Sequence, residues 1–474
     1  MDHDYQKFIS AHPSYAETSA IDELRARDYA RLDRHDHVYL DYTGSGLYGE
    51  SQVERHLELL RGGVFGNPHS TNPSSQAATV LVEKARARVL EHFNASADEY
   101  VVVFTENASG ALKLVGESYP FGPACAKPGE KAGRFLLTFD NHNSVNGIRE
   151  FARARAAEVV YVPVELPDLR VPDSRIEAEL AGRPEAGSSL FAFPAQSNFS
   201  SVRHPLGWIA KAKAAGWDVL LDAAAFAPTN VLDLAVHKPD FVTVSFYKMF
   251  GYPTGIGALV ARREALGRLR RPWFAGGTIT VASVQGDRFY LSEGAAGFED
   301  GTVDFLGLPA VTIGLDHLAA VGVGIVHRRV EALTGWLLER LESMRHKSGN
   351  PLVRIYGPLD TRDRGGAIAL NFADSAGRPI DHRRIEAEAN SHGISLRTGC
   401  FCNPGAGEIA LGISRAELAT CFTSPAHAKR LTVDDFRDCI DGKSTGAVRV
   451  SLGIASDFKD VSAFLAFARS FLDR

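Results

Sequence analysis

Between residues 100 and 260 the sequence alternates short apolar runs with segments of helical period, and this alternation constrains the fold more than any other feature. Several of the runs end at polar residues, such as Asp140 and Asp222. The seven runs of strand length are Val101–Phe104, Phe135–Phe139, Val159–Val162, Leu190–Phe193, Val219–Leu221, Phe241–Ser245 and Gly257–Val260. Strands that alternate with helices predict an α/β fold, in which helices cover both faces of a mostly parallel sheet.

The pattern changes after about residue 310. A long helical periodicity runs from Gly314 to Met344. Further strands are predicted at Val353–Tyr356, Ala367–Phe372 and Val448–Leu452. We therefore predict a smaller α+β domain that follows the large one. The three predicted parts are an N-terminal arm over 1–40 that packs with the small domain, a large domain over 41–315 and a small C-terminal domain over 316–474.

The composition excludes several classes of protein. Hydrophobic residues make up 45% of the chain and charged residues 23%, a globular balance that argues against disorder. The formal net charge of -5 argues against nonspecific binding of nucleic acid. The apolar stretch 311–326 is too short to span a membrane, and the N-terminus shows no secretory signal. We expect a soluble cytoplasmic protein that binds neither nucleic acid nor membrane.

Two motifs that could suggest other functions have simpler explanations. Cys400 and Cys402 could form half of a zinc site, but Cys421 and Cys439 are single and far apart, so we expect no metal. Five cysteines do not make a disulfide framework, and their odd number is typical of a reducing compartment. The glycines of 251–257 lack the lysine–threonine ending of a nucleotide-binding loop.

Chemically active side chains recur at the ends of consecutive strands. In an open α/β sheet the carboxyl ends of the strands are where ligands bind. The residues found there are Asn107, Ser109, His142, Gln196, Asn198, Asp222, Ser245, Tyr247 and Lys248. Each has an ordinary explanation when taken alone, such as helix capping or a solvated surface position. Their recurrence at successive strand ends is hard to obtain by chance.

This set of side chains matches the requirements of pyridoxal 5'-phosphate. Its aldehyde needs a lysine amine that is held partly neutral, and its ring nitrogen needs a carboxylate because the protonated ring is an electron sink. Its phosphate is favoured at a helix N-terminus that also offers hydroxyl groups. An aromatic group over the ring face holds the ring in plane. We therefore predict pyridoxal 5'-phosphate as the cofactor.

Several motifs carry a resemblance to one family. They are Asp41–Gly44, Gly66–Ser70, Pro194–Ser200, Leu221–Ala225, Phe246–Gly251 and Arg397–Asn403. From about residue 36 onwards the chain resembles the class V aminotransferase-like enzymes. Within these it is most similar to the aminotransferase-like domain of molybdenum cofactor sulfurases, which are relatives of cysteine desulfurases. The resemblance implies a fold type I transferase, with a mostly parallel seven-stranded sheet and a smaller C-terminal α+β domain.

The resemblance also implies roles for the cofactor site. Lys248 would form the Schiff base, Asp222 would pair with the pyridinium nitrogen, and His142 would stack on the ring and act in catalysis. Asn198 would bind the phenolic oxygen of the ring and help to bind the substrate. Tyr247 would also contact the cofactor. The phosphate would be held by Asn107, Ala108, Ser109 and Ser245. In this family the site is shared across a homodimer, which assigns a second phosphate contact to Gly277 and Thr302 of the neighbouring subunit.

For the substrate, the resemblance implies a cysteine desulfurase-like sulfur transfer. Arg397 would clamp the carboxylate of L-cysteine with its planar fork. Cys402 would take the sulfur as a persulfide, leaving alanine, and would pass it to a protein or small-molecule acceptor. Cys400 could receive the persulfide or protect it as a disulfide. The glycines at 399, 405 and 407 suggest a loop mobile enough to carry the sulfur outward.

The chain departs from the family pattern at two positions. Ordinary cysteine desulfurases have histidine where this chain has Tyr247 and glutamine where it has Ala225. Ala225 cannot donate a hydrogen bond to the ring, and Tyr247 is a poor proton shuttle near neutral pH. Slower turnover is the expected result. Molybdenum cofactor sulfurases usually add a C-terminal domain, which we expect to be absent because the sequence ends at Arg474.

Three other functions remain open at this point. A carbon–sulfur lyase would use Lys248 to eliminate sulfide and release pyruvate, without any enzyme thiol. A selenocysteine lyase would act on the selenium analogue of cysteine. A third possibility is a protein that keeps the fold as a binding module without activity. Only the desulfurase requires Cys402.

Overall fold

A seven-stranded sheet forms the centre of the protein, whose computed structural model describes residues 2–122, 133–184, 187–423, 430–432, 435–436, 439 and 444–474. After a short strand β1 (Val38–Tyr39), its strands are β2 (Tyr100–Thr105), β3 (Arg134–Thr138), β4 (Glu158–Val162), β5 (Leu190–Pro194), β6 (Asp218–Asp222), β7 (Phe241–Ser245) and β8 (Gly257–Arg262). Their order in the sheet is β2–β8–β7–β6–β5–β3–β4. Only β8 runs antiparallel to its neighbours among these strands, which confirms the predicted mostly parallel α/β sheet.

Both faces of this sheet are buried, which explains why its strands read as unbroken apolar runs. Val101 and Val103 of β2 belong to one apolar cluster, whereas Val102 and Phe104 belong to another. The two clusters lie on opposite faces because side chains alternate along a strand. The helices of this half of the chain are α1 (Asp2–Ala11), α2 (Ala20–Asp28), α3 (Arg31–Arg34), α4 (Glu50–Gly62), α5 (Pro73–His92), α6 (Ala108–Ser118), α7 (Asn143–Asn146), α8 (Ile148–Ala154), α9 (Asp173–Ala181), α10 (Gly207–Ala214), α11 (Phe246–Phe250), α12 (Arg263–Arg268) and α13 (Leu308–Val321).

The rest of the chain forms a hairpin, a second sheet and further helices. The hairpin strands are β9 (Ile279–Ser283) and β10 (Arg288–Leu291). The later strands are β11 (Val353–Tyr356), β12 (Ala367–Phe372), β13 (Ile394–Ser395), β14 (Arg397–Gly399) and β15 (Ala447–Ser451). They build a four-stranded antiparallel sheet in the order β11–β12–β15–β14, while β13 pairs with β1. The helices are α14 (Val323–Ser343), α15 (His382–Ser391), α16 (Pro404–Leu411), α17 (Arg415–Thr423) and α18 (Phe458–Arg469).

The helical periodicity predicted from Gly314 to Met344 belongs to two helices rather than one. Helices α13 and α14 meet at an angle of 65°, and Gly322 between them has a φ of +87°, a conformation that favours glycine. No single helix among the described residues is long and apolar enough to cross a membrane, although this bent pair would qualify by length and composition together.

The N-terminal arm contacts helices of the C-terminal part. The ring of Phe8 stacks on Phe458 of α18 at 4.9 Å and meets Trp336 of α14 edge-on at 5.6 Å. Arg25 donates to the carboxylate of Asp460 at 2.6 Å. These contacts join the N-terminal residues to α14 and α18, and the division into an arm and two domains stays a prediction.

Two cysteines are paired in a way that the sequence analysis does not anticipate. Cys421 of α17 and Cys439 are joined by a disulfide across 18 positions, with their Cα atoms 5.7 Å apart. The spacing argument that sets these two cysteines apart from a zinc site gives no indication of this pairing. The fold thus brings together two positions that are 18 residues apart in sequence. Cys421 is fully buried in a small apolar cluster with Ile413.

Candidate active site

A cavity of about 320 Å³ lies at the carboxyl edge of the central sheet. Nine of the residues predicted from the sequence line it: Asn107, Ala108, Ser109, His142, Asn198, Asp222, Ser245, Tyr247 and Lys248. The other four predicted residues, Gly277, Thr302, Arg397 and Cys402, do not line this cavity. Because the parallel strands all end at this edge, residues from five separate segments meet there.

One wall of the cavity is the beginning of helix α6. Asn107 caps the helix, with its Oδ1 accepting the N–H of Gly110 at 3.0 Å. The N–H of Ala108 donates to Ser245 Oγ at 2.9 Å, and the hydroxyls of Ser109 and Ser144 lie 2.5 Å apart. A Cβ on Gly257 would lie 2.5 Å from the Asn107 backbone, so the close approach of β8 requires glycine. This wall offers an anion the positive end of an 11-residue helix together with hydroxyl groups.

Lys248 and Asp222 place an amine and a carboxylate in the same cavity. Burial lowers the pKa of the Lys248 amine, and the nearby Asp222 carboxylate partly opposes this shift. Asp222 is buried, and its Oδ1 accepts the N–H of Ala224 at 3.0 Å. A lowered pKa increases the neutral, nucleophilic fraction of the amine near neutral pH.

His142 begins the short helix α7 at the cavity wall. Its Nδ1 accepts the N–H of Ser144 at 3.1 Å, which assigns the ring proton to Nε2. Burial lowers the pKa of this imidazole, opposed in part by Asp222. The ring is therefore neutral near neutral pH and lines the cavity.

Cys402 lies in a tight turn beside the cavity. The N–H of Asn403 donates to the carbonyl of Cys400 at 2.9 Å, and the turn residues Phe401 and Cys402 both have positive φ angles, 56° and 55°. The carbonyl of Phe401 accepts from Asn198 Nδ2 at 2.7 Å. Both Cys400 and Cys402 are free and exposed.

The structure contradicts one prediction for this region, and the role of Asn198 stays a prediction. The side chain of Asn198 lines the cavity but is engaged by the turn of Cys402, through the bond to Phe401 and one from Asn403 to its Oδ1 at 2.9 Å. Gly405 and Gly407 belong to helix α16, not to a loop, so the prediction that they confer mobility is wrong. A Cβ on Gly405 would lie 2.0 Å from the carbonyl oxygen of Phe139, so this glycine allows close packing.

The predicted substrate-binding residue Arg397 shares a carboxylate with a second arginine. Arg397 donates through Nε and Nη2 to the carboxylate of Asp41 at 2.5–3.1 Å, and remains about half exposed. Arg449 is buried in β15 and donates to the same carboxylate at 3.2 Å and to the carbonyl of Asn198 at 2.9 Å. Arg449 is not a predicted site residue. The signal that could have revealed it is an arginine in the middle of an apolar strand, since buried charges are paired or functional.

Gly277 and Thr302 lie near each other in this chain. Gly301 donates its N–H to the carbonyl of Gly276 at 2.8 Å, and Thr302 Oγ1 accepts from Asn67 at 3.3 Å. Thr302 lines a second cavity of about 390 Å³ that shares Glu106 and Gly255 with the first. Thr302 therefore lies next to the first cavity of its own chain but does not line it. Its predicted contact with the phosphate in a neighbouring subunit stays a prediction.

Comparison with known proteins identifies the family. The family model of class-V aminotransferases matches residues 38–464. The chain belongs to the class-V aminotransferase family. Among curated proteins, it is 40% identical to the molybdenum cofactor sulfurase of Bos taurus and 38% identical to that of Homo sapiens. Each alignment covers 94% of this chain and 51% of the relative, so the chain spans about half the length of these relatives.

Solved structures of two cysteine desulfurases resemble this chain over nearly its whole length. The apo cysteine desulfurase of Thermococcus onnurineus NA1 has a TM-score of 0.75 at 23% identity, and covers 95% of this chain and 98% of its own. The cysteine desulfurase CsdA of Escherichia coli has a TM-score of 0.71 at 23% identity, with 95% and 99% covered. At this level of identity the likeness establishes the fold.

The two departures from the usual desulfurase pattern are visible in this class-V site. Ala225 lines the cavity, and the amide of Gln196 lies next to it, donating to the Ala225 carbonyl at 3.0 Å. Burial raises the pKa of the Tyr247 phenol, so the phenol stays protonated near neutral pH. Asn230 donates to Gln196 Oε1 at 3.2 Å and thereby fixes the orientation of the Gln196 amide. The amide of Gln196 therefore lies beside Ala225, the position where ordinary desulfurases have a glutamine.

The charge balance around Asp41 gives a prediction for stability. Asp41→Asn is expected to lower the free energy of unfolding by about 3–5 kcal/mol, because Arg449 would stay buried without a compensating charge. Denaturant unfolding of the two proteins measures this difference. The exposed pair with Arg397 contributes little to it.

The double variant Asp41→Asn, Arg449→Met provides the control. Removal of both buried charges is expected to restore most of the lost stability. A single variant that loses less than about 1 kcal/mol would show that Arg449 does not depend on Asp41 for its burial.

Proposed function

We propose that this chain is a pyridoxal phosphate-dependent enzyme that takes sulfur from L-cysteine, holds it as a persulfide on Cys402 and releases alanine. The observation that carries the proposal is the meeting of the Lys248 amine, the Asp222 carboxylate and the start of α6 in one cavity, with an exposed thiol beside it. The curated relatives named as molybdenum cofactor sulfurases support a function in sulfur transfer.

The donor set of the cavity fits pyridoxal phosphate. The helix start at Asn107, with the hydroxyls of Ser109 and Ser245 beside it, would hold the phosphate. Asp222 would pair with the ring nitrogen, and the neutral face of His142 would stack on the ring. When bound, the cofactor supplies an electron sink for the electron pair left on the α-carbon of an amino acid.

Lys248 has two properties that suit a carrier and a base. Its amine lies in the cavity with a pKa lowered by burial, so that it can form a covalent bond with the cofactor and, when displaced, accept the α-proton of the substrate. The carbonyl of Lys248 would be 2.9 Å from a Cβ on Gly46, so the segment around Gly46 packs tightly behind this lysine. This packing fixes the backbone from which the lysine side chain extends.

The carboxylate of the substrate would bind at Arg397. Asp41 engages Nε and Nη2 of this guanidinium and leaves Nη1 for another acceptor. Together Arg397, Arg449 and Asp41 carry one excess positive charge, which matches a single carboxylate. Asp41 therefore orients the guanidinium while leaving the charge that the substrate neutralises.

Cys402 would perform the sulfur transfer itself. Its thiolate attacks the sulfur of the bound cysteine, a sulfur–sulfur bond forms, and the bond between that sulfur and the β-carbon breaks. The electron pair of the broken bond stays with the carbon skeleton, which takes up a proton and leaves as alanine. The transferred sulfur remains on Cys402 as a persulfide, and an acceptor thiol can then remove it.

One observation favours a second candidate, the carbon–sulfur lyase. Cys402 lies beside the cavity and does not line it, whereas Lys248 and Asp222 do. An enzyme that eliminates sulfide from cysteine needs only the groups inside the cavity and yields pyruvate. The ratio of alanine to pyruvate therefore separates the two functions.

Covalent attachment of the cofactor gives the first functional prediction. Lys248→Ala is expected to lose the cofactor bond, so that borohydride no longer fixes cofactor to the protein. Mass spectrometry after borohydride treatment measures this. Lys211→Ala, on the exposed surface of α10, serves as the matched control and should remain fully labelled. Labelling of Lys248→Ala at the level of the parent protein would mean that another lysine carries the cofactor.

The second prediction concerns the products. Cys402→Ser is expected to lower alanine formation from L-cysteine by about 100-fold or more, because the serine hydroxyl is a far weaker nucleophile toward sulfur. Cofactor absorbance should be unchanged. Cys400→Ser is the control and should form alanine at a rate close to that of the parent protein. If Cys402→Ser instead releases sulfide at the parent rate together with pyruvate, the lyase is the correct function.

The third prediction concerns assembly as a homodimer. The hairpin β9–β10 and the residues before it expose large apolar side chains, including Trp273, Val281, Val284 and Tyr290. We infer that this surface contacts a second copy and brings Thr302 to the partner's cavity. Light scattering should give a dimer, and Val284→Asp should weaken it. Val236→Asp, an exposed position just before β7, is the control. A fully cofactor-loaded monomer would contradict the shared site.

A further inference from the structure

The thiol of Cys402 is carried by an unusual turn. Phe401 and Cys402 are consecutive residues with positive φ, closed by the hydrogen bond from Asn403 to Cys400 at 2.9 Å. Two central residues with positive φ are typical of hairpin turns built from asparagine and glycine. Neither residue here is glycine, so the backbone is strained and persists only if its surroundings hold it.

Asn403 makes the contacts that hold this turn. It is fully buried, and its Nδ2 donates to the carbonyl of Asp140 at 2.7 Å and to Asn198 Oδ1 at 2.9 Å. Its Oδ1 accepts the N–H of Ala406 at 3.3 Å and caps helix α16. Both hydrogens and the oxygen of the amide are therefore used. Because Asp140 follows β3 and Asn198 follows β5, one side chain ties the turn to two strands of the central sheet.

The backbone of the turn is tied to the same cavity wall. The carbonyl of Cys402 accepts the N–H of Asn143, next to His142, at 2.7 Å. The ring of Phe401 lies under the guanidinium of Arg449 at 4.7 Å and near the ring of Phe199 at 5.4 Å. These contacts fix the backbone of Cys402 relative to His142 and Arg449, which lie where the cofactor ring and the substrate would bind.

We propose that Asn403 is a positioning residue for sulfur transfer, which holds the Cys402 thiol at a fixed distance from the cavity. This inference rests on the proposed function. The exposed sulfur of Cys402 then keeps one position on the protein surface, and an acceptor has to bind at that position. Asn403 itself is buried and touches neither substrate nor acceptor.

Asn403→Ser tests the proposal, because serine can still cap α16 but is too short to keep the bonds to Asp140 and Asn198. Alanine formation from L-cysteine is expected to fall by about 10- to 100-fold through misplacement of the thiol. The affinity for L-cysteine, measured from the change in cofactor absorbance, should change far less than the rate, since the substrate carboxylate would bind at Arg397, which lies outside the turn. The share of pyruvate among the products should rise.

Asn371→Ser is the matched control. Asn371 is also buried, and its Nδ2 donates to Tyr356 and to the carbonyl of Gly446, both at 3.2 Å, without contacting the turn. Its alanine formation should equal that of the parent protein. If Asn403→Ser forms alanine as fast as Asn371→Ser, the inference is wrong and Asn403 serves only to cap α16. A parent protein that forms no alanine would instead refute the proposed function.

Hydrogen exchange on the unmodified protein tests the inference even if Asn403→Ser does not fold. The amides of Asn143 and Asn403 donate to the turn and should exchange slowly, both with and without L-cysteine. Rapid exchange of these amides in the presence of L-cysteine would show that the turn opens during the reaction, and would overturn the proposal. Slow exchange in both states supports it.

Discussion

The common direction of the strands is the constraint on which the rest of the structure depends. Strands β3 to β7 pair in parallel, so their carboxyl ends all reach one edge of the sheet. That edge gathers His142, Asn198, Asp222 and Lys248 from stretches of chain that are far apart in sequence. The apolar runs that bury both faces of the sheet therefore also determine where polar chemistry can occur.

The second organising feature is a junction between the central sheet and the C-terminal part of the chain. Asp41 accepts from Arg397 of β14 and from Arg449 of β15, and Arg449 in turn donates to the backbone of Asn198 beyond β5. A buried guanidinium is tolerated only where its charge is compensated, so these contacts are required by its burial as well as by any ligand. The residues that would bind a substrate carboxylate are the same ones that join the two sheets.

The sequence predicts what depends on local pattern and residue chemistry. The strands and the cavity residues Asp222 and Lys248 follow from apolar runs and from side-chain types that few functions need together. Contacts between distant segments do not follow in this way: Asp41 and Arg449 are 408 positions apart, and no local period links them. The role of Gly405 cannot be predicted for a related reason, because a glycine that permits mobility and one that permits close packing look alike in sequence until the neighbouring backbone is known.

The reversed strand β8 limits how the protein can tolerate insertions. Because β8 runs against its neighbours, the chain leaves the sheet at Ser245 and returns to the same edge at Gly257, beside the start of α6. The connection between them carries Lys248 and also supplies Gly255 to the cavity wall. The length of this connection therefore sets the distance between the Lys248 amine and the start of α6. An added residue would shift both Lys248 and Gly255. Connections at the opposite edge carry no such restriction, so natural length variation should concentrate there.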